Sequence, residues 1–145
     1  LPQELILFDN AALRRRLSIE LAQDARLLLV EPMAFGRTAM GERLNNVSFE
    51  DRIHLTRRGV PLYLDGMTLR RDAASHLARP AVGNGAGAMA SLVYVAPDAA
   101  AHLDHVRAHL PETGGASLLG GDMLVMRLLA VDSFEMRQKI GRAHV

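Results

Sequence analysis

From Leu13 to Leu21 the chain alternates: Leu13, Leu17, Ile19 and Leu21 fall on one face, and Arg14, Arg16, Ser18 and Glu20 on the other. A period of two marks a half-buried strand, and the short turns around it predict antiparallel pairing. Arg15 is the charged exception on the apolar side. The alternation returns where Phe49, Ile53 and Leu55 interleave with Glu50, Arg52 and His54. Arg57-Arg58-Gly59 closes that strand and Val60 to Leu69 returns it, with a kink expected at Asp65-Gly66. Between the two patterns, Leu27-Leu28-Leu29-Val30 is apolar throughout, too short for a membrane span and the right length for a buried strand. Glu31-Pro32 is expected to stop it, because proline donates nothing to a ladder. Leu1 to Phe8 reads as an entry loop and a short apolar strand that turns at Asp9-Asn10.

The period changes after Asp72, the predicted cap of a short helix that ends before Pro80. Ala81 to Gly87 holds three glycines and is expected to be a mobile loop; Met89 to Val95 follows as a strand. Asp98 is the predicted N-cap of a helix from Ala99 to Leu110, whose Ala99, Leu103, Val106 and Leu110 recur at i, i+4, i+7 and i+11. Leu118-Leu119, a Gly120-Gly121 turn and Met123 to Ala130 predict a hairpin, and Asp132 caps a last helix to about Lys139. The predicted class is mainly β: a two-layered body of antiparallel and meandering strands, with a few short helices in a β-α-β-β-α final third.

Composition then removes several function classes. A chain of 145 residues that is 49% hydrophobic can bury a real core and is not disordered. Seventeen Lys and Arg against sixteen Asp and Glu leave a net charge of +1, so no global field favours nucleic acid or an anionic membrane. The absence of cysteine removes disulfides and thiolate metal sites and fits a reducing compartment. Ile140-Gly141-Arg142-Ala143-His144-Val145 matches one translation frame of a common sequencing-adapter oligonucleotide. A single domain over residues 1–139 is therefore expected, with 140–145 as read-through.

The candidate chemistry is sparse. Asp98, His102, His105 and His109 fall on one helical stripe, and either neighbouring histidine pair has chelating spacing. A small metal-dependent hydrolase built on that stripe is the alternative reading, although no H-E-x-x-H arrangement supplies a base. Arg14-Arg15-Arg16 divides between two strand faces and has no aromatic platform, which argues against nucleic acid. The glycine-rich stretches lack the lysine and Ser/Thr of a phosphate loop, and no G-x-S-x-G elbow is present. Glu4, Asp9, Glu31 and Glu42 sit beside apolar strands, with Arg37 and Arg43 as expected partners. Together they give either structural ion pairs or a polar path for a hard or borderline cation, with Glu31 the weak metal candidate.

Several short motifs carry a resemblance. Pro2-Gln3-Glu4 with Ile6 and Phe8-Asp9, Ala12-Leu13-Arg14-Arg15-Arg16-Leu17, and Phe35-Gly36-Arg37 with Ala39-Met40-Gly41-Glu42 resemble the middle of the urease accessory protein D family, called H in some organisms. Ala78-Arg79-Pro80, Leu92 to Pro97 and Leu124 to Ala130 are similar to that family's C-terminal half. The family's glycine-rich GG-x-x-GGD segment is absent, and Gly120-Gly121-Asp122 lies in a different context. The resemblance implies the C-terminal portion of a larger, non-enzymatic, cytoplasmic protein with a two-layered, right-handed β-helix-like body. It implies binding to urease apoprotein and to accessory proteins F and G, the latter a GTPase, for incorporation of nickel into the urease metallocentre. No tightly bound cofactor is implied, only transient nickel through an internal polar passage. Neither nucleic acid nor membrane is among the implied partners. Gln3, Glu4, Gly36, Arg37, Gly41 and Glu42 are the implied interface or passage formers.

Overall fold

A computed structural model describes residues 3–37 and 40–143. Pro2 and Ala39 of the motifs, and His144 and Val145 at the end, lie outside the described residues. The strands are β1 (Leu5–Leu7), β2 (Ala12–Leu21), β3 (Leu27–Phe35), β4 (Val47–Arg57) and β5 (Val60–Arg71), then β6 (Ala88–Val95), β7 (Gly114–Leu119) and β8 (Met123–Ala130). The helices are α1 (Ala73–Ala78), α2 (Ala99–His109) and α3 (Ser133–Ala143). They make a five-stranded sheet in the order β1-β3-β6-β8-β7 and a three-stranded sheet in the order β2-β4-β5.

The first four strands wind as a coil. β1 and β3 pair in parallel in the larger sheet, and β2 and β4 pair in parallel in the smaller one. Successive strands therefore switch sheets and return beside the strand two before, as in a β-helix. The expected antiparallel partner of β2 is thus corrected: the turn after Leu21 carries the chain across to the other sheet instead of back along the same one. Antiparallel pairing begins at the β4–β5 hairpin and holds for β3–β6, β6–β8 and β7–β8.

Pro32 does not end β3, which continues to Phe35. The nitrogen of Gly36 donates to Leu7 O at 2.8 Å and that of Phe35 to Gly87 O at 2.8 Å, so even-numbered nitrogens of β3 face β1. The β1 ladder opens at Leu5 opposite Met33, one step beyond Pro32. The proline nitrogen therefore faces a gap where no donor is needed. The expected kink at Asp65-Gly66 is also absent; the register shift falls between Leu55 and Thr56. At Gly66 a side chain would press on Arg52, its Cβ 2.9 Å from the guanidinium, so the glycine makes room for an arginine laid along the sheet. The 81–87 segment is closed by bonds from Val82, Gly83 and Asn84 nitrogens to Arg79 O and from Gly85 N to Leu77 O.

The core has two levels. Between the sheets, Leu7, Met33, Phe35, Phe49 and Leu69 pack near one end, and Leu21, Leu55, Val93 and Val95 near the other. On the far side of the larger sheet, α2 and α3 cover Ala90, Leu92, Leu124 and Leu128 through Val106, Met136 and Ile140. β6 is buried on both faces as a central strand. The Asp72 carboxylate caps α1 by accepting from Ser75 N at 3.0 Å, as predicted. Asp98 precedes α2 without making a side-chain cap; its carboxylate accepts from the Tyr94 hydroxyl at 2.9 Å instead. Asp132 caps α3 through Glu135 N at 2.8 Å. The helix runs beyond Lys139, and Ile140 is buried beside Met136.

Candidate functional site

Six of the strands that face the space between the sheets each place a polar residue near the same level. Across the larger sheet Glu31, Ser91 and Arg127 stand in register on β3, β6 and β8. Opposite them, Arg15 on β2 is in register with Asp51 on β4, and Asp65 on β5 with Ile53. Among the described residues, Asp51 and Ser91 are the only buried polar or charged ones, and both belong to this rung.

The rung is closed by charge-assisted bonds across both sheets. Arg15 grips Asp51 with two parallel bonds, Nε to Oδ1 at 2.9 Å and Nη2 to Oδ2 at 2.6 Å. Its remaining nitrogen, Nη1, lies 2.6 Å from Glu31 Oε2 in the opposing sheet. Arg127 Nε donates to Ser91 Oγ at 3.1 Å, and its Nη2 bonds Asp65 of the smaller sheet. Planar guanidinium forks suit such bidentate bridging. The Asp51 bonds are the main reason that the Arg15 guanidinium holds its proton above the ordinary arginine range. Two arginines against three carboxylates leave a formal charge of −1. The groups line a narrow space of about 20 Å³, which Met33, Met67 and Met89 also line. That is room for about one water molecule.

A second cluster sits where β3 ends. Gly36 and Gly41 have φ of 89° and 69°, the left-handed region that lets the chain leave the strand and fold back. The fold-back brings Glu42 onto Arg37: Oε2 accepts from the Arg37 backbone nitrogen at 2.8 Å and Nε at 3.1 Å, and Oε1 from Nη2 at 2.8 Å. Oε1 also accepts from Asp9 N at 3.3 Å, and Asp9 Oδ1 accepts from Asn46 N at 2.8 Å. The guanidinium, seconded by these backbone bonds, pulls the Glu42 carboxyl down to about 2. The face of Phe8 lies 5.8 Å from the Arg37 guanidinium carbon. The Arg37–Glu42 pair matches the partner expected from sequence. Arg43 is not Glu42's partner, and Glu31 finds Arg15 instead of Arg37.

The remaining sequence candidates are scattered. Glu4 is bonded by Arg137 of α3 through Nε at 3.0 Å and Nη2, which lowers its pKa; Gln3 is exposed. His102 pairs with Asp98 at 3.7 Å and meets the Tyr94 ring edge-on. His105 and His109 lie ring to ring at 4.3 Å, with His109 Nδ1 at 2.8 Å from His105 O. Among the described residues, no three His, Asp or Glu side chains gather as a metal site. Sequence reasoning noted Arg15 and missed Asp51, Asp65, Ser91 and Arg127. The available signal was phase: Asp51 and Asp65 break the apolar rows set by Phe49–Ile53 and Tyr63–Met67.

These features define a mainly β, two-sheet body whose polar interior consists of cross-sheet ion pairs. The family described as UreD urease accessory protein matches residues 1–144, and the chain belongs to that family. It is 56% identical over 140 residues to the urease accessory protein UreD of Ruegeria pomeroyi, covering 97% of this chain and 54% of that protein. It is 48% identical over 140 residues to the Roseobacter denitrificans protein of the same name, with 97% and 51% covered. With the Methylobacterium relative it shares 44% over 150 residues, with 98% and 53% covered. The chain thus spans about half the length of the curated relatives it matches.

Proposed function

We propose that this chain is the C-terminal portion of a non-enzymatic scaffold in urease maturation. In this reading it binds urease apoprotein and accessory proteins F and G, and takes part in GTP-dependent incorporation of nickel. The observation that carries the reading is the family match over residues 1–144. Nickel is cargo here, held transiently and not as a resident cofactor. The rung supports a path of that kind: carboxylates and thioethers line it, yet each carboxylate is bonded to one of the two guanidiniums, so a cation passes by exchange and is not stored. No described helix is long and apolar enough to cross a membrane. A cytoplasmic setting agrees with the cysteine-free sequence. Among the described residues, no gathered ligand set favours the hydrolase alternative.

The test is a chimera. Residues Leu1 to Gln138 replace the matching part of the Ruegeria pomeroyi relative, and nickel-dependent urease activity is assayed in cells that lack that relative. Restored activity is expected. A soluble, folded chimera that leaves urease inactive refutes the reading.

A further inference from the structure

β2 is the outer strand of the three-stranded sheet, and among the described residues nothing pairs with its free edge. Its inner edge is fixed: Ala11 O accepts from Ser48 N at 2.9 Å and Leu21 O from Arg58 N at 3.4 Å. Odd-numbered residues of the strand therefore face β4. Ala12, Arg14, Arg16, Ser18 and Glu20 turn their N–H and C=O groups outward. A ten-residue open edge of this kind is a template for one more strand.

The side chains specify that strand. On the inner row, Leu13 is 38% exposed and Leu17 and Ile19 are half-buried, so apolar surface remains uncovered. On the outer row Arg16 has no partner among the described residues. The exposed Arg14 lies 3.7 Å from Glu50, which it shares with Arg52 and Arg70. Four arginines against Glu50 and Glu20 leave this face at about +2.

We propose that the free edge of β2 receives one added strand, with carboxylates beside Arg14 and Arg16 and apolar residues over Leu13 and Leu17. Its source is the half of the full-length protein outside the region that this chain matches in its relatives, which are about twice as long. A second copy of this chain fits less well. Antiparallel pairing about Leu17 would set Arg14 against Glu20, but Glu20 is already bonded to Thr56 and to Gly59 N at 2.9 Å, and Arg16 would face Ser18.

Residue-resolved hydrogen exchange of the purified chimera described above tests this without reference to urease activity. A covered edge makes the amides of Arg14, Arg16 and Ser18 exchange as slowly as those of Leu17 and Ile19. Arg14→Glu with Arg16→Glu, both exposed and leaving the circular dichroism unchanged, speeds the even-numbered amides about tenfold. Even-numbered amides that already exchange at least about tenfold faster than odd ones in the chimera overturn the proposal. So does protection unaffected by the double substitution, or protection that vanishes on dilution together with a dimer, which assigns the edge to a second copy.

Discussion

Removing the Arg15 guanidinium tests the cross-sheet rung most directly. Arg15→Met keeps the apolar stem of the side chain but strips Asp51 of two bonds and Glu31 of its counter-charge. Losing one partner of a fully buried ion pair costs about 3–5 kcal/mol. Here the Arg15 side chain is 29% exposed and that of Glu31 22%, so water recovers part of the loss. A cost of about 2–3 kcal/mol remains after that discount.

With a urea slope of about 2 kcal/mol/M, the unfolding midpoint falls by about 1–1.5 M. Arg15→Lys keeps the charge without the fork and falls by about half as much. Arg14→Met, at an 81% exposed side chain, shifts stability by less than about 0.5 kcal/mol and serves as the control. A midpoint change under about 0.3 M for Arg15→Met, with the slope unchanged, would refute the claim that this arginine holds the two sheets together.

Three further outcomes are expected. Glu42 has its folded pKa depressed to about 2. Its contribution to stability is therefore complete above the ordinary carboxyl value near 4.5 and fades as pH falls towards 2. A carbon-detected NMR titration should place its midpoint near about 2 and show it rising to the ordinary range in Arg37→Met. Gly36→Ala forces a side chain to φ 89° and should lower stability by about 1–2 kcal/mol in thermal melts. Replacing His102, His105 and His109 together by alanine should leave urease activation by the chimera within about twofold; a fold-preserving loss of activation would restore the metal-stripe reading.

How much of this was legible in the sequence follows from what a period of two encodes. Alternation assigns each residue to a face, so strand positions emerged from rows such as Phe49, Ile53 and Leu55, and the β4–β5 hairpin from the turn at Arg57-Arg58-Gly59. It does not name a strand's neighbour, which is why β2 looked antiparallel. Pro32 misled because the ladder rule applies only to the edge its nitrogen faces, and that edge is open. The Arg37–Glu42 clamp was accessible because five residues and two glycines bring its ends together locally. The Arg137–Glu4 and Arg127–Asp65 bridges join residues far apart in the chain, and no local pattern signals them.

Phase errors in a sandwich carry information of their own. A one-residue slip of β2 against β4 turns its whole apolar row to solvent and is excluded by burial alone. A two-residue slip keeps every face correct, so hydrophobicity barely opposes it. It would, however, set Arg15 opposite Phe49 or Ile53 in place of Asp51. The same slip of β3 against β6 would move Glu31 from Ser91 to Met89 or Val93. The rung thus penalises the errors that alternation tolerates, at a cost in desolvation. Replacing Arg15, Glu31 and Asp51 by Met, Leu and Leu removes that discrimination while filling the space with apolar groups. The triple variant should keep or gain stability to urea yet show doubled or broadened amide resonances for β2 and β4. A single sharp set of resonances would mean that the turns alone fix the register and that the rung's polarity has another role.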